Sequence, residues 1–229
     1  MRYGLVGSEM CIRDSKDQYG EMVLAVDAAN NWRRKAFPQY KANRKKHRQE
    51  SDFNWDEAFR ILNLVREEIL ENMPYKVIKI DGCEADDVIG TLSKHADKEG
   101  FKTYMVTPDK DFGQLVTANT FIYKPGTRFS GPKVMGVDEV CEKFGLKNIE
   151  QFIDFLGIMG DTSDNIPGVF GVGEKTAQKL ITEYGSIEQV YEGIDNIKGK
   201  LKEKLENSKE NAFLSKDLVT ICLLYTSPS

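Results

Sequence analysis

The stretch YKVIKIDGCEADDVIGTLSKHADKEGFKTYMV, residues 75–106, decides the fold class. Tyr75 to Ile80 alternates as a strand does. Glu84 to His95 places Val88, Ile89 and Leu92 on one face at helical spacing. Lys102 to Val106 reads as a strand again. Strand, helix, strand in that order predicts parallel pairing through a crossover helix. Working outward, Met22 to Val26 is a short apolar run ending at Asp27, and reads as a buried strand. Asp52 to Met73 carries Phe59, Leu62, Val65, Ile69 and Leu70 at helical spacing, with Asp52 or Asn54 as its cap. Thr120 to Tyr123 is a further short strand, followed by a Gly/Pro-rich hairpin-like stretch to Gly136. From Val137 the pattern is helical, over 137–145, 148–159, 174–184, 186–193 and 197–213. The expected fold is α/β. A mainly parallel sheet with flanking helices occupies 16–136, and an all-helical region occupies 137–221.

Composition narrows the function classes. The chain has 229 residues, 40% of them hydrophobic, and 32 basic against 36 acidic residues give a net charge of -4. No apolar run approaches the roughly 20 residues of a membrane span. Residues 1–15 lack the apolar core of a secretory signal. Four cysteines form no CxxC pair, so neither a zinc site nor a disulfide framework is indicated. These features predict a cytoplasmic protein with no membrane partner; a monomer is expected. The two ends read differently from the rest. GLVGSEMCIRDS (4–15) and CLLYTSPS (222–229) resemble one transposase sequencing adaptor translated in opposite orientations. Residues 1–15 and 222–229 are therefore expected to be foreign to the fold.

Acidic residues recur where strands end. Asp27 follows the first strand, Glu84, Asp86 and Asp87 follow the second across Gly82, and Asp109 and Asp111 follow the third. Asp161 and Asp164 lie in a Gly/Pro loop between helices. In open α/β sheets that crevice is where ligands bind. Carboxylates gathered there repel one another unless cations neutralise them. All-oxygen ligation suits Mg²⁺ or Mn²⁺ rather than zinc. Two such ions about 4 Å apart form a clamp for phosphodiester cleavage. Glu84 and Asp87 share a helical face, and Asp109 and Asp111 share a face if that segment is extended. The plainer reading of EADD is a helix start that complements the helix dipole.

Two further segments point to a polyanion. Residues 31–48 hold Arg33, Arg34, Lys35, Lys41, Arg44, Lys45, Lys46 and Arg48, interleaved with Trp32, Phe37 and Tyr40. Cations alternating with aromatics suit a phosphate backbone with stacked bases or sugars. NIPGVFGVGEKT (165–176) enters a helix through Gly168, Gly171 and Gly173, followed by Lys175 and Thr176. Such a loop presents backbone N–H groups to phosphate. A helix rather than a strand precedes it, so a helix–hairpin–helix contact to DNA fits better than a dinucleotide fold.

YKANR (40–44), DGCEADDVIGTL (81–92), TPDKDFGQL (107–115) and GDTSDNIPGVFGVGEKTAQKL (160–180) resemble the 5′-nuclease family. That family includes flap endonucleases, the N-terminal domain of bacterial DNA polymerase I and phage ribonuclease H-type enzymes. The resemblance implies a PIN-like catalytic domain with a helix–three-turn–helix element. It implies metal-dependent hydrolysis of phosphodiesters near 5′ ends, flaps or RNA primers, in DNA or in RNA paired to DNA. By motif position, Asp27, Glu84, Asp86, Asp87, Asp109, Asp111, Asp161 and Asp164 carry over as ligands of two metal ions. Lys41 and Arg44 carry over as cations on the scissile phosphate. The 168–173 loop carries over as a duplex clamp, with a monovalent ion such as K⁺ among its carbonyls. The family opens with an earlier apolar strand ending in Asp. Only 26 residues precede Asp27, and Asp14 and Asp17 follow no strand-like run. The resemblance therefore implies that this chain lacks the first strand and its ligand, and that its own activity is low.

Two other readings compete. One is a catalytically dead DNA-structure-binding module, which should have lost several of these acids. The other is a PIN-type ribonuclease or toxin, which has no use for a duplex clamp or a basic arch.

Overall fold

The computed structural model describes residues 20–224 except 29, 74 and 127–129, together with the side chains of all of these but Lys45. The strand expected over 22–26 forms as β1 (Val23–Val26), but it is not buried as expected: Val23 is exposed and the other three residues are half-buried. It pairs in parallel with β2 (Lys76–Lys79), its one strand partner among the described residues, Val23 opposite Lys76 and Val26 opposite Lys79. Between them run three helices: α1 (Trp32–Ala36), α2 (Ala42–Gln49) and α3 (Trp55–Asn72). The helix expected after β2 forms as α4 (Ala85–Lys98). β3 (Thr103–Val106) follows, then β4 (Thr120–Lys124), parallel to β3, and β5 (Lys133–Met135), antiparallel to β4. The sheet is therefore in two pieces, β1-β2 and β3-β4-β5, and α4 packs against both β1 and β3. The parallel pairing expected across α4 does not form, because β2 pairs with β1 and β3 with β4.

The helical region comprises α5 (Val137–Phe144), α6 (Gln151–Met159), α7 (Glu174–Tyr184), α8 (Ile187–Glu192), α9 (Lys200–Asn207) and α10 (Lys209–Val219). The single helix expected over 197–213 is two helices, α9 and α10, separated at Ser208. Ser208 is buried, and its hydroxyl accepts the Phe170 N–H at 3.3 Å instead of continuing a helical surface. α6 is the hub. Phe152, Phe155 and Ile158 are fully buried, and α6 packs against α7, α8 and α10. The same core takes in Met105, Phe112 and Ile122 from the β3 side, so sheet and bundle share one apolar interior.

α3 departs from its expected role. Asn54 caps it by accepting the Glu57 N–H at 3.0 Å, as the sequence reading allowed. Most of its apolar residues are not covered, however, Ile69 alone of the five at helical spacing being half-buried. Phe59, Leu62, Val65 and Leu70 are exposed, Leu62 to 61%. The helix rests on β2 and on local pairs such as Arg60 with Glu57.

No described helix is long and apolar enough to cross a membrane. The expectations for residues 1–15, for Asp14 and Asp17, and for 225–229 lie outside the described residues. Within 222–224, the Cys222 and Leu224 N–H groups donate to Asp87 Oδ1 and Thr91 Oγ1, each at 2.8 Å.

Candidate active site

The acids lie where strands hand over to helices. Asp27 follows β1, and its Oδ1 accepts the Ala85 N–H at 2.8 Å, tying the strand end to the first turn of α4. Glu84 stands at the N-cap of α4, and its N–H donates to Asp87 Oδ2 at 3.2 Å, one half of a capping box. The plainer reading of EADD thus describes part of what Glu84 and Asp87 do.

Asp87 is withdrawn from the ligand set expected for it. It is 0% exposed. Its Oδ1 accepts Arg33 Nη2 at 2.8 Å, and its Oδ2 accepts Arg33 Nη1 at 2.9 Å. The Cys222 and Glu84 N–H groups complete its partners. A carboxylate this deep persists only with a paired cation and full hydrogen bonding. Arg33 is corrected for the same reason. Expected on nucleic acid, it is buried, and it donates as well to Glu84 Oε2 and to the Leu218 and Thr220 carbonyls. Tyr40, also expected on nucleic acid, is buried with its hydroxyl on Glu84 Oε2 at 3.0 Å.

Asp109 follows β3. The segment beyond it is not extended as the face-sharing argument required, because Asp111 opens a 3₁₀ turn, Asp111–Leu115. Its N–H donates to Asp109 Oδ1 at 3.0 Å. Asp161 and Asp164 sit in the loop from α6 to α7, closed by reciprocal backbone bonds between Asp161 and Ile166.

Cations are threaded between these acids. Lys41 Nζ lies 2.6 Å from Glu84 Oε1 and 3.6 Å from Asp164 Oδ2. Arg44 pairs with Asp164. Lys110 Nζ lies 2.7 Å from Asp161 Oδ2. Lys41 itself sits in the left-handed backbone region at φ 56, where its N–H reaches the Asp164 carbonyl at 2.9 Å. A non-glycine residue in that region costs about 1–2 kcal/mol, and such strain clusters at functional sites.

Among the described residues, no three acidic, cysteine or histidine side chains form a ready-made metal cluster, and lysine side chains stand between the acids. Their electrostatic coupling is nonetheless strong. Burial, then Glu84, Asp109 and Asp27, push the Asp86 carboxyl up to about 6 against the pull of Lys41. Burial, then Asp109, Asp161 and Asp164, push Asp111 to about 7 despite Lys110. Two acidic neighbourhoods result, with Asp109 common to both. Asp111 Oδ1 is buried without a hydrogen-bond partner. An all-oxygen, mutually repelling set with one orphaned oxygen fits a hard divalent cation.

The hairpin between α6 and α7 presents Gly171, Gly173 and Lys175 to solvent, with Thr176 half-buried. Gly168 is different. Its N–H goes to Ser215 Oγ at 2.8 Å, and an added Cβ would lie 2.6 Å from the Gly160 nitrogen, so it serves packing rather than a phosphate. Lys204 Nζ donates to the Gly171 carbonyl at 2.7 Å, placing a lysine where a monovalent ion was expected. Arg34 is exposed, and the Lys45 side chain lies outside the described residues. Sequence reasoning missed Lys110. Its position between Asp109 and Asp111 was the available signal.

The family profile described as "5'-3' exonuclease, N-terminal resolvase-like domain" matches residues 5–145, and "5'-3' exonuclease, C-terminal SAM fold" matches 147–226. DNA polymerase I of Bacillus subtilis is 41% identical over 202 residues, covering 87% of this chain and 22% of the polymerase. The thermostable DNA polymerase I of Thermus thermophilus is 37% identical over 217 residues, covering 94% of this chain and 24% of the polymerase. The chain thus spans under a quarter of the length of these relatives. Among solved structures, bacteriophage T5 flap endonuclease in a pseudo-enzyme-product complex with DNA and metal ions superposes with TM-score 0.77. It is 25% identical, and the match covers 92% of this chain and 78% of that one. The catalytic core of Rad2 in complex with DNA substrate gives TM-score 0.53 at 18% identity, over 86% of this chain and 63% of that one.

Proposed function

The chain belongs to the 5'-3' exonuclease family, and from that premise we propose that it hydrolyses phosphodiester bonds of DNA, or of RNA paired to DNA, near 5′ ends and flaps. The observation that carries this reading is the pair of acidic neighbourhoods joined at Asp109, with Lys41 and Arg44 among them. Asp27, Glu84, Asp86, Asp109, Asp111, Asp161 and Asp164 are the residues that would hold two Mg²⁺ or Mn²⁺ ions. When bound, such ions neutralise phosphate charge and lower the pKa of a water nucleophile.

The chain's own residues do the rest. Arg33 fixes Glu84 and the start of α4 from below. Lys41 and Arg44 are held by carboxylates, and a phosphodiester arriving at the site competes for them. Their charge then stabilises the developing negative charge on the scissile phosphate. The hairpin binds duplex through Gly171, Gly173, Lys175 and Thr176 at the start of α7.

The test is cleavage of a 5′-labelled flap duplex in Mg²⁺ and in EDTA. Expected are products released from the 5′ side in Mg²⁺ alone, and a loss of about 100-fold or more in single-turnover rate for Asp109→Ala. Equal rates for parent and variant would refute the site. The second reading is a DNA-structure-binding module, although the acids that such a module should have lost are all present. Its signature is flap binding with no cleavage in Mg²⁺.

A further inference from the structure

We propose that Phe170 is a nucleic-acid contact, an apolar ring that lies against the sugar and base edges lining a groove of the bound duplex. The inference rests on the clamp role proposed above for the hairpin. It adds a specific non-ionic contact which that reading does not require.

Single exposed apolar residues are ordinary and carry no argument by themselves. Phe170 is distinguished by how it is held and by what surrounds it. It is 84% exposed, the highest value among the exposed large apolar side chains of the described residues. The other strongly exposed ones belong mostly to α3 and the β-strand ends, whereas Phe170 stands by itself at the tip of the α6–α7 hairpin.

The tip cannot tuck the ring away. Val169 and Val172 on either side are buried in the core. The Val169 N–H donates to the Ile158 carbonyl at 2.8 Å, and the Val172 N–H to the Val169 carbonyl at 3.0 Å. The Phe170 N–H is held by Ser208 Oγ, and the Gly171 carbonyl by Lys204. Gly168 and Gly171, at φ 59 and 71, turn the chain sharply on both sides of the ring. These anchors fix the backbone of the hairpin tip and leave the ring in water. A backbone already held in place adds little ordering cost when the ring meets a partner.

The surroundings select the partner. Lys204 stands at Gly171, and Lys175 and the uncapped start of α7 follow within a few residues. A duplex whose phosphates meet those groups brings its groove wall within reach of the neighbouring ring. Aromatic and apolar side chains beside phosphate-binding groups gain from contact with sugars and bases, whatever the sequence.

The experiment is equilibrium binding of a fluorescein-labelled DNA duplex bearing a 5′ flap. It is done in EDTA over a series of salt concentrations, with the parent chain, Phe170→Ala, Phe170→Leu and Lys175→Ala. Phe170→Ala should weaken binding by about 5- to 30-fold. Its log–log salt slope should match the parent's, because no charge has been removed. Phe170→Leu should recover part of the loss. Lys175→Ala should weaken binding and also flatten the slope by about 0.9. If Phe170→Ala binds within twofold of the parent while Lys175→Ala is weakened, the ring contact is refuted and the clamp stands. A flattened slope in Phe170→Ala also refutes it, since the ring would then act by placing cations. If the parent binds no duplex, the clamp reading falls, and the ring contact with it.

Discussion

Arg33 shows how far a residue's role can lie from its composition. In the sequence it is one of eight cations between residues 31 and 48, and the reading as a polyanion contact rests on that density. In the fold it bridges Glu84 and Asp87 on α4 and the carbonyls of Leu218 and Thr220, 185 and 187 positions away. No local pattern announces a partner so distant, so this role was not legible. Lys41 and Arg44, a few residues on, remain among the site acids. The YKANR motif singled them out without showing that carboxylates hold them. Removing one partner from a buried ion pair leaves an uncompensated charge, which costs about 3–5 kcal/mol. Arg33→Ala should therefore lower unfolding free energy by that amount in urea titration. Arg33→Lys should recover only part of it, because an ammonium cannot reproduce the two-pronged contact with Asp87. A loss under about 1 kcal/mol in Arg33→Ala would mean that Glu84 and Asp87 are solvated rather than buried.

At the scale of elements, those written in a strict period were readable and those defined by packing were not. β1 to β4 and the helix α4 follow from short apolar or alternating runs and helical spacing, although the pairing of β2 with β3 across α4 does not form. The 3₁₀ turn at Asp111 and the break at Ser208 do not. Each is set by hydrogen bonds that no periodicity encodes, to Asp109 in one case and to Phe170 in the other. α3 and α6 form a controlled contrast. Both are apolar helices, but α6 is packed on several sides while α3 leaves Leu62 in solvent. Leu62→Glu should change stability by no more than about 0.5 kcal/mol. Phe152→Ala should cost about 3–5 kcal/mol, since its ring fills the space an added Cβ on Gly113 would meet at 2.6 Å. Equal losses in thermal denaturation would show α3 to be covered in solution.

α10 gives a prediction in pH. Lys216 Nζ lies 2.7 Å from Asp154 Oδ1 on α6 and 2.8 Å from Glu188 Oε1 on α8. Partial burial raises the Glu188 carboxyl, but the Lys216 hydrogen bond and charge, with backbone and Ser186 donors, outweigh it and the net shift is downward. Partial burial opposes charge on Lys216 as well, yet the two carboxylates leave it net raised. A depressed carboxyl adds stability above its unfolded pKa and loses it as pH falls through its folded value. A raised lysine adds stability below its unfolded pKa and loses it only at higher pH. Lys216→Met should therefore be less stable than the parent by about 1–3 kcal/mol near pH 7. The gap should narrow as pH drops below about 4. A gap constant from pH 7 to pH 3 would assign the loss to packing alone.

For the whole molecule, the α/β half followed by a helical half was legible because periodicity switches at one place in the chain. The split of the sheet into two pieces was not, since it depends on which strand edges meet. The net charge of -4 matters at this scale, because the protein as a whole repels a polyanion. Binding then has to be local, and the fold offers two separate places for it. Lys41 and Arg44 sit among the acids, while Lys175 stands at the α6–α7 hairpin beyond the shared core. If the first place acts on the scissile phosphate and the second holds duplex, their losses must appear in different measurements. Lys41→Ala plus Arg44→Ala should slow single-turnover cleavage of a saturating flap duplex by about 100-fold, while duplex affinity falls by less than about threefold. Lys175→Ala should show the reverse, a lower affinity with a flatter salt dependence and a smaller loss of saturated rate. Parallel losses of affinity and saturated rate in both variants would mean that the acidic site and the hairpin bind the substrate as one continuous surface, which would dissolve the division of labour.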